Sequence, residues 1–299
     1  MSALEQSPPR AFADPRHRGL TLAPSAGECD VTVVFPCRDE ASSVGFCVLD
    51  ARVRLEKAGL DGEVVVCDNG SMDGSAVVAA DAGAVVVQEK LAGYGRSLAA
   101  GIAAARGRYV IMADSDGSYD LGAVEPMIAA LDAGADLVMG NRFQGQIAAG
   151  AMPWTHRYVA GPLFRILLKL FFGTSVGDVH CGMRAFTRDA YQRLALQTGG
   201  MEFASEMVAR AERISLTIAE VPVDYHPRAG ESKLRRYRDG WRHLRFLLMY
   251  SPTWLYMVPS AILASVGLAL LVALSLSPFT LFNRQWDMHL SALATLLTV

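Results

Sequence analysis

Between Val31 and Gly140 five short apolar runs alternate with four helical stretches, and this alternation limits the fold more than any other feature of the chain. The expected strands are Val31–Phe35, stopping at Pro36, then Glu63–Cys67, Ala84–Gln88, Arg108–Ala113 and Asp136–Gly140. The expected helices are Ser42–Lys57, Asp73–Ala82, Tyr94–Ala105 and Leu121–Ala133. Strands separated by helices of this length form βαβ units, so the pattern predicts an α/β fold: a mostly parallel sheet with helices on both faces. Such sheets bind ligands at the carboxyl ends of their strands. Asp39/Glu40, Asp68/Asn69, Asp114/Asp116 and Asn141/Arg142 each follow an expected strand, so all are placed along one edge.

The remainder of the chain is organised differently. Leu163–Phe172 is strongly apolar, with Arg165 and Lys169 four residues apart on one helical face. It suits either a core helix or an interfacial helix with snorkelling cations. Arg228–Arg245 carries seven Lys/Arg, and Trp254–Leu276 follows as 23 residues without a charge. About 20 apolar residues cross a bilayer, so this stretch is expected to be a transmembrane helix. The basic excess before it places the preceding part of the chain on the cytoplasmic side. A further apolar run from Leu290 to Val299 is too short to cross and is read as an incomplete second span.

Residues 1–29 lack the apolar core of a signal peptide and are expected to form a disordered tail. The 28 Lys+Arg nearly balance 30 Asp+Glu, a net charge of −2, which argues against a nucleic-acid partner. Five scattered cysteines with no C-x-x-C pair argue against a disulfide framework or a cysteine zinc site.

Three constellations point to chemistry. Asp114-Ser115-Asp116 follows a strand, and two carboxylates so placed converge on Mg²⁺ or Mn²⁺, which completes its shell with water and phosphate oxygens. Phe35-Pro36-Cys37-Arg38-Asp39-Glu40 and Asp68-Asn69-Gly70-Ser71 place acceptors for a base N–H or a ribose hydroxyl after the first two strands. The first βα turn lacks G-x-G-x-x-G, which disfavours a dinucleotide site. Arg142, His156-Arg157 and Arg228 through Lys233 supply cations suited to phosphate.

Together, "FPCRDE", "CDNGSMDGS", "ADSDGSYD", "GNR", "MPWTHR", "DVHCGMRAF", "GMEFASEM" and "GESKL" resemble glycosyltransferase family 2 enzymes of GT-A fold, most of all the polyprenyl-phosphate glycosyltransferases of the dolichol-phosphate mannose or glucose synthase group. The resemblance covers roughly Val31 to Pro252. It implies that Pro36, Glu40 and Asp68 contact the nucleoside and that Asp114 and Asp116 hold metal and nucleotide sugar. It also implies that Arg142 and Arg157 orient the lipid phosphate, and that Arg228 and Lys233 close on the diphosphate. With Arg38, Asn69 and Ser115 beside them, these residues make up the candidate nucleotide-sugar site. Ser118 stands where some relatives carry a metal-ligating Gln, so the candidate metal set is Asp114, Asp116 and Ser118. The candidate catalytic residues are Asp116, Arg142, Arg157 and Asp178.

The organisation so implied is a tail over 1–29, a GT-A catalytic domain over 30–227, a basic juxtamembrane loop and amphipathic helix over 228–252 and a transmembrane region over 253–299. The implied reaction is metal-dependent hexose transfer, with inversion, from a nucleoside diphosphate sugar to a polyprenyl phosphate. The enzyme would lie in the cell membrane, anchored at its C-terminal end or crossing more than once, and a homo-oligomer is compatible with it. Asp178 would act as a base only if the acceptor were a hydroxyl. A processive polysaccharide synthase would carry Q-x-x-R-W, which this chain lacks. The alternatives are a GT-A transferase acting on a hydroxyl acceptor, as a polysaccharide or glycolipid synthase does, and a non-enzymatic, membrane-tethered nucleotide-binding protein.

Overall fold

The computed structural model describes residues 29–230, 241, 245, 248–251, 253–276, 279–281 and 284–286. The chain divides into two units, Met1–His243 and Leu244–Val299. Lys233, most of the basic run, the tail over 1–28 and the apolar run from Leu290 lie outside the described residues.

The first unit is built on a seven-stranded sheet. Its strands are β1 (Val31–Cys37), β2 (Gly62–Asp68), β3 (Val85–Gln88), β4 (Tyr109–Met112), β5 (Leu137–Asn141), β6 (Arg184–Thr187) and β7 (Ile218–Pro222), in the order β3-β2-β1-β4-β6-β5-β7. All pairings are parallel except those of β6, which runs antiparallel to both β4 and β5. Along β1 the side chains alternate between faces, as period-2 geometry requires. Val31, Val33 and Phe35 join a core with Val48 and Leu55 of α1 (Val44–Lys57) and Met127 and Leu131 of α4 (Val124–Asp132). Val34 faces α3 (Tyr94–Ala104), where Gly101 lets the helix close down: a Cβ there would lie 2.6 Å from Val34 Cγ1. Full burial of a side chain such as Phe35 contributes about 1.5–3 kcal/mol.

Strand β1 continues through Pro36 rather than stopping there. Val34 and Pro36 turn their backbone polar groups toward β4, whose pairing with β1 ends at Met112 opposite Val34. The N–H that proline lacks therefore falls beyond the ladder and costs no hydrogen bond. Helix α2 (Ser75–Asp81) starts two residues later than expected, because Asp73 uses its carboxylate on the N–H groups of Ala41 and Ser75, and Gly74 turns at φ +88°. Helix α4 is preceded by a single 3₁₀ turn, Leu121–Ala123, capped by Asp120.

Beyond β5 the chain forms α5 (Gly161–Phe172), α6 (Arg188–Leu194) and α7 (Phe203–Arg213). Of the two readings of the apolar 163–172 run, the core helix is excluded: Leu168 alone is buried, while Leu163, Ile166 and Leu170 are exposed. The second unit contains α8 (Val258–Leu276), entered by a π turn at Thr253–Met257, and a hairpin of β8 (Phe279–Leu281) with β9 (Arg284–Trp286). The stretch Thr253–Leu270 is long and apolar enough to cross a membrane.

Candidate active site

The loops after β1, β2, β4 and β5 open at one edge of the sheet, and the first two are joined by reciprocal hydrogen bonds. The Asp39 N–H donates to Ser71 Oγ at 2.9 Å, and the Met72 N–H donates to Asp39 Oδ1 at 2.8 Å. These bonds hold Asp39 at φ +48°, a left-handed conformation that aspartate tolerates better than most residues. The Glu40 N–H donates to Ser75 Oγ at 2.8 Å. Gly230 lies beside the Glu40 carboxylate, where a Cβ on it would stand 3.9 Å from Glu40 Oε2. Arg38 is exposed, 4.0 Å from the Asp39 carboxylate.

Asp68 is buried at the end of β2 and accepts the Ser71 N–H at 3.2 Å. Asn69 beside it is committed to the backbone. Its Nδ2 donates to the carbonyls of Glu89 and Leu91, both at 2.9 Å, and its Oδ1 accepts the Gly93 N–H at 2.8 Å. The amide thereby fixes the loop that leads into α3. Pro36 offers its carbonyl to Ser115 Oγ at 2.8 Å, and the Ser115 carbonyl accepts Ser43 Oγ at 2.8 Å, which binds the acidic loop to β1 and α1.

In the acidic loop Tyr94 Oη donates to Asp114 Oδ1 at 3.0 Å. Asp114 Oδ2 lies against Gly182, where a Cβ would come within 2.7 Å of it. The Gly182 N–H donates to Tyr119 Oη at 2.7 Å. Asp116, 5% exposed, accepts the Ser118 N–H at Oδ1 (3.0 Å) and the Arg228 Nη2 donor at Oδ2 (2.9 Å). Enclosure in the site and the neighbouring Asp116 charge push Asp114 up to about 6, with Tyr94, Arg228 and Arg142 acting in the opposite direction. Ser118 Oγ is buried and has no hydrogen-bond partner among the described residues. Two enclosed carboxylates, the charge of Asp116 raising the cost of ionising Asp114, next to the buried Ser118 hydroxyl, form an oxygen donor set that fits a hard divalent cation.

The loop after β5 carries Arg142, which reaches Asp178 through two parallel bonds, Nε to Oδ2 at 2.7 Å and Nη2 to Oδ1 at 2.9 Å. The guanidinium lies over the Tyr225 ring at 5.0 Å, and Tyr225 packs on Tyr119 with centroids 5.2 Å apart. The two tyrosines thus connect the arginine to the acidic loop. Burial opposes ionisation of Asp178, but the Arg142 guanidinium and backbone N–H hold its carboxyl below the usual carboxylate range.

The structure therefore brings Asp114, Asp116, Ser118 and Arg228 together and joins Arg142 to Asp178. Arg157 stands apart, exposed, with its guanidinium 5.5 Å from the Tyr158 ring centroid. A cleft beside Arg142 is lined instead by His156, Arg165, Asp178 and His180.

Sequence reasoning missed Tyr94, Gly182, Tyr225 and Arg184. Arg184 is wholly buried and donates to the carbonyls of Cys181 (3.0 Å), Ala204 (2.6 Å) and Val179 (2.8 Å), fixing the loop that carries Asp178 and Gly182. The string DVHCGMRAF carries Gly182 and Arg184 within the resemblance, but the partners of Gly182, Asp114 and Tyr119, lie far away in sequence.

An open α/β sheet with an acidic pair after its fourth strand, opposed by arginines, is a site built for phosphate esters. The profile of glycosyl transferase family 2 matches residues 32–195. The low-salt glycan biosynthesis hexosyltransferase Agl6 of Haloferax volcanii is 37% identical over 97% of this chain and 71% of its own length. The dolichyl-phosphate hexose transferase of the same organism is 30% identical over 71% of this chain and 89% of its own. The chain belongs to glycosyltransferase family 2, and it is a transferase enzyme.

Among solved structures, glucosyl-3-phosphoglycerate synthase from Mycobacterium tuberculosis in complex with phosphoglyceric acid superposes with a TM-score of 0.59 at 21% identity, covering 75% of this chain and 80% of that one. The same enzyme in complex with Mn²⁺, UDP and glucosyl-3-phosphoglycerate gives a TM-score of 0.57 at 22% identity, with the same coverage. These likenesses establish the GT-A-like fold.

Proposed function

We propose that this chain moves a hexose from a nucleoside diphosphate sugar to a polyprenyl phosphate at a membrane, with inversion at the anomeric carbon. The observation that carries the reading is the enclosed Asp114/Asp116 couple with Arg228 bonded to Asp116 and the Arg142–Asp178 pair connected to the acidic loop through Tyr225 and Tyr119. It is supported by the relative named for dolichyl-phosphate hexose transfer and, in a distant structural neighbour, by bound Mn²⁺ and UDP.

In this reading Asp114 and Asp116, with Ser118 beside them, hold Mg²⁺ or Mn²⁺. When bound, the cation supplies neutralising charge to the departing diphosphate. Asp68, Glu40 and Pro36 meet the nucleoside. Arg228, already against Asp116, lies where it can pair with a diphosphate oxygen, and the family resemblance implies the same task for Lys233.

The bond from the anomeric carbon to the diphosphate breaks, and its electron pair leaves with the nucleotide. A phosphate oxygen of the acceptor forms the new bond. A phosphomonoester has its second pKa near about 6, so the nucleophile is already anionic at neutral pH and needs no base. This agrees with Asp178, which Arg142 makes a poor proton acceptor. The membrane setting is supported by the apolar α8 and the exposed apolar residues of α5, and the positive-inside rule favours a cytoplasmic catalytic unit.

The test is transfer of labelled hexose into solvent-extractable lipid by membranes containing the full chain or its Asp116→Ala variant. The reading expects a fall of at least about 100-fold in the variant, the scale on which removal of one transition-state charge stabiliser acts. Full activity of Asp116→Ala would overturn it.

A further inference from the structure

Three residues beyond β7, Tyr225 is held by its backbone between two loops of the site. On one side its N–H donates to the Gln146 carbonyl at 2.8 Å and its carbonyl accepts the Ala148 N–H at 2.9 Å, in the loop after β5. On the other side it bridges to Tyr119 in antiparallel sense. The pairing extends both ways along the acidic loop. The Asp120 N–H donates to the Asp224 carbonyl (3.2 Å), the His226 N–H to that of Ser118 (2.8 Å) and the Ala229 N–H to that of Asp116 (2.9 Å). Residue 225 is thus the common neighbour of the loop that carries Arg142 and the loop that carries Asp114 and Asp116.

The side chain repeats this placement. Its buried ring packs on Tyr119 and lies beneath the Arg142 guanidinium carbon, and its hydroxyl is a hydrogen-bond partner of Arg228. Given the transfer proposed above, on which this inference rests, we propose that Tyr225 is a positioning residue for both arginines: its hydroxyl fixes Arg228 for the departing diphosphate, and its ring fixes Arg142.

The hydroxyl matters because of how Arg228 is held. Its Nη2 is 2.9 Å from Asp116 Oδ2, and the side chain is about a third exposed. A carboxylate at one end of a guanidinium leaves a long, partly solvated side chain rotational freedom, whereas recognition of phosphate oxygens through parallel bonds needs a fixed plane. A phenol clamped from its own backbone upward supplies a second contact and removes that freedom. Asp116 and Tyr225 occupy part of the five N–H donors, and the others keep a fixed orientation toward a diphosphate.

The ring acts on Arg142 in a different way. The two bonds from Asp178 fix the donor edge of that guanidinium, and the aromatic face 5.0 Å from its central carbon adds a cation–π contact inside a buried environment, where such contacts are strongest.

Substitution separates the two roles, because Tyr225→Phe deletes the hydroxyl and keeps the ring, whereas Tyr225→Leu deletes both. The full chain is reconstituted in phosphatidylcholine vesicles with Mn²⁺. Calorimetry gives its affinity for UDP and for GDP, and the tighter nucleotide is followed in the wild type, Tyr225→Phe, Arg228→Ala and the double variant. Tyr225→Phe should weaken that nucleotide by about two- to tenfold, the worth of one hydrogen bond, at an unchanged melting temperature. In the Arg228→Ala background the same change should have less than about a twofold effect, because the hydroxyl acts through the arginine. Kinetics with a prenyl phosphate then read the ring. Tyr225→Phe should leave acceptor KM near the wild-type value, and Tyr225→Leu, or Tyr225→Met where the leucine variant melts early, should raise it by about threefold or more. Nucleotide affinity unmoved by Tyr225→Phe, or lowered equally with and without Arg228, overturns the role of the hydroxyl. Acceptor KM unmoved by loss of the ring, or raised as much by Tyr225→Phe, overturns the role of the ring. A wild type that transfers to no prenyl phosphate overturns the reaction proposed above and the ring's role with it, while the nucleotide affinities still decide that of the hydroxyl.

Discussion

The Asp178 carboxylate receives Arg142 in a two-point contact, 2.7 Å at Nε and 2.9 Å at Nη2, with both side chains almost wholly buried. Removing one partner of such a pair leaves a charge with no compensation. Asp178→Asn should cost about 3–5 kcal/mol, read as a lower denaturation midpoint. The effect has a defined pH window. The folded-state pKa of Asp178 is depressed, so its contribution is present above the ordinary carboxylate value of about 4 and is lost as pH falls through the folded value. The wild type and the variant should therefore converge in acid. Equal stability at neutral pH would show that the pair does not hold the loop.

Asp114 has the opposite sign. Its pKa is pushed up to about 6 by enclosure and by Asp116, so the fold prefers its neutral form. That preference contributes in full below the unfolded value of about 3.9 and is lost as pH rises through about 6. Without divalent cation, Asp114→Asn should be more stable than the wild type at pH 8 by about 1–2 kcal/mol, with the gap closing toward pH 4. Added Mn²⁺ should raise the melting temperature of the wild type and leave the variant nearly unchanged. A variant less stable than the wild type at pH 8 would contradict this account.

Tyr94 acts on the same carboxylate through its hydroxyl. Tyr94→Phe deletes one hydrogen bond to Asp114, and a neutral donor of this kind is worth about 0.5–1.5 kcal/mol. Mn²⁺ affinity, followed by titration calorimetry, should therefore weaken by about two- to tenfold. Unchanged affinity would mean that the acidic loop holds its geometry without the tyrosine.

How far the sequence carried this account depends on the distance between partners. The strands and the polar residues after them were readable, because β-branched runs and the turns that end them are local signals. The insertion of β6 antiparallel between β4 and β5 was not, since it depends on pairing across 45 to 78 residues and leaves no periodicity in the segment itself. Asn69 looked like a ligand-binding amide, yet its partners are backbone groups of residues 89 to 93. Glu206, inside the string GMEFASEM, serves the fold. It is buried in α7 and accepts the N–H groups of Gln197 and Thr198, fixing the loop whose Gly199 carbonyl accepts the Arg96 N–H of α3. Arg228 and Asp116 are 112 positions apart and meet at 2.9 Å, a contact that composition and spacing do not encode.

The central claim is that an anionic lipid phosphate is the nucleophile. It is tested most directly by giving the reconstituted chain, with Mg²⁺ or Mn²⁺ and a labelled nucleoside diphosphate hexose, either a prenyl phosphate or the matching prenol. The account predicts a labelled, mild-acid-labile lipid from the phosphate alone. Equal transfer to the prenol, abolished by Asp178→Asn, would contradict it, because Asp178 would then be serving as a base for a hydroxyl acceptor.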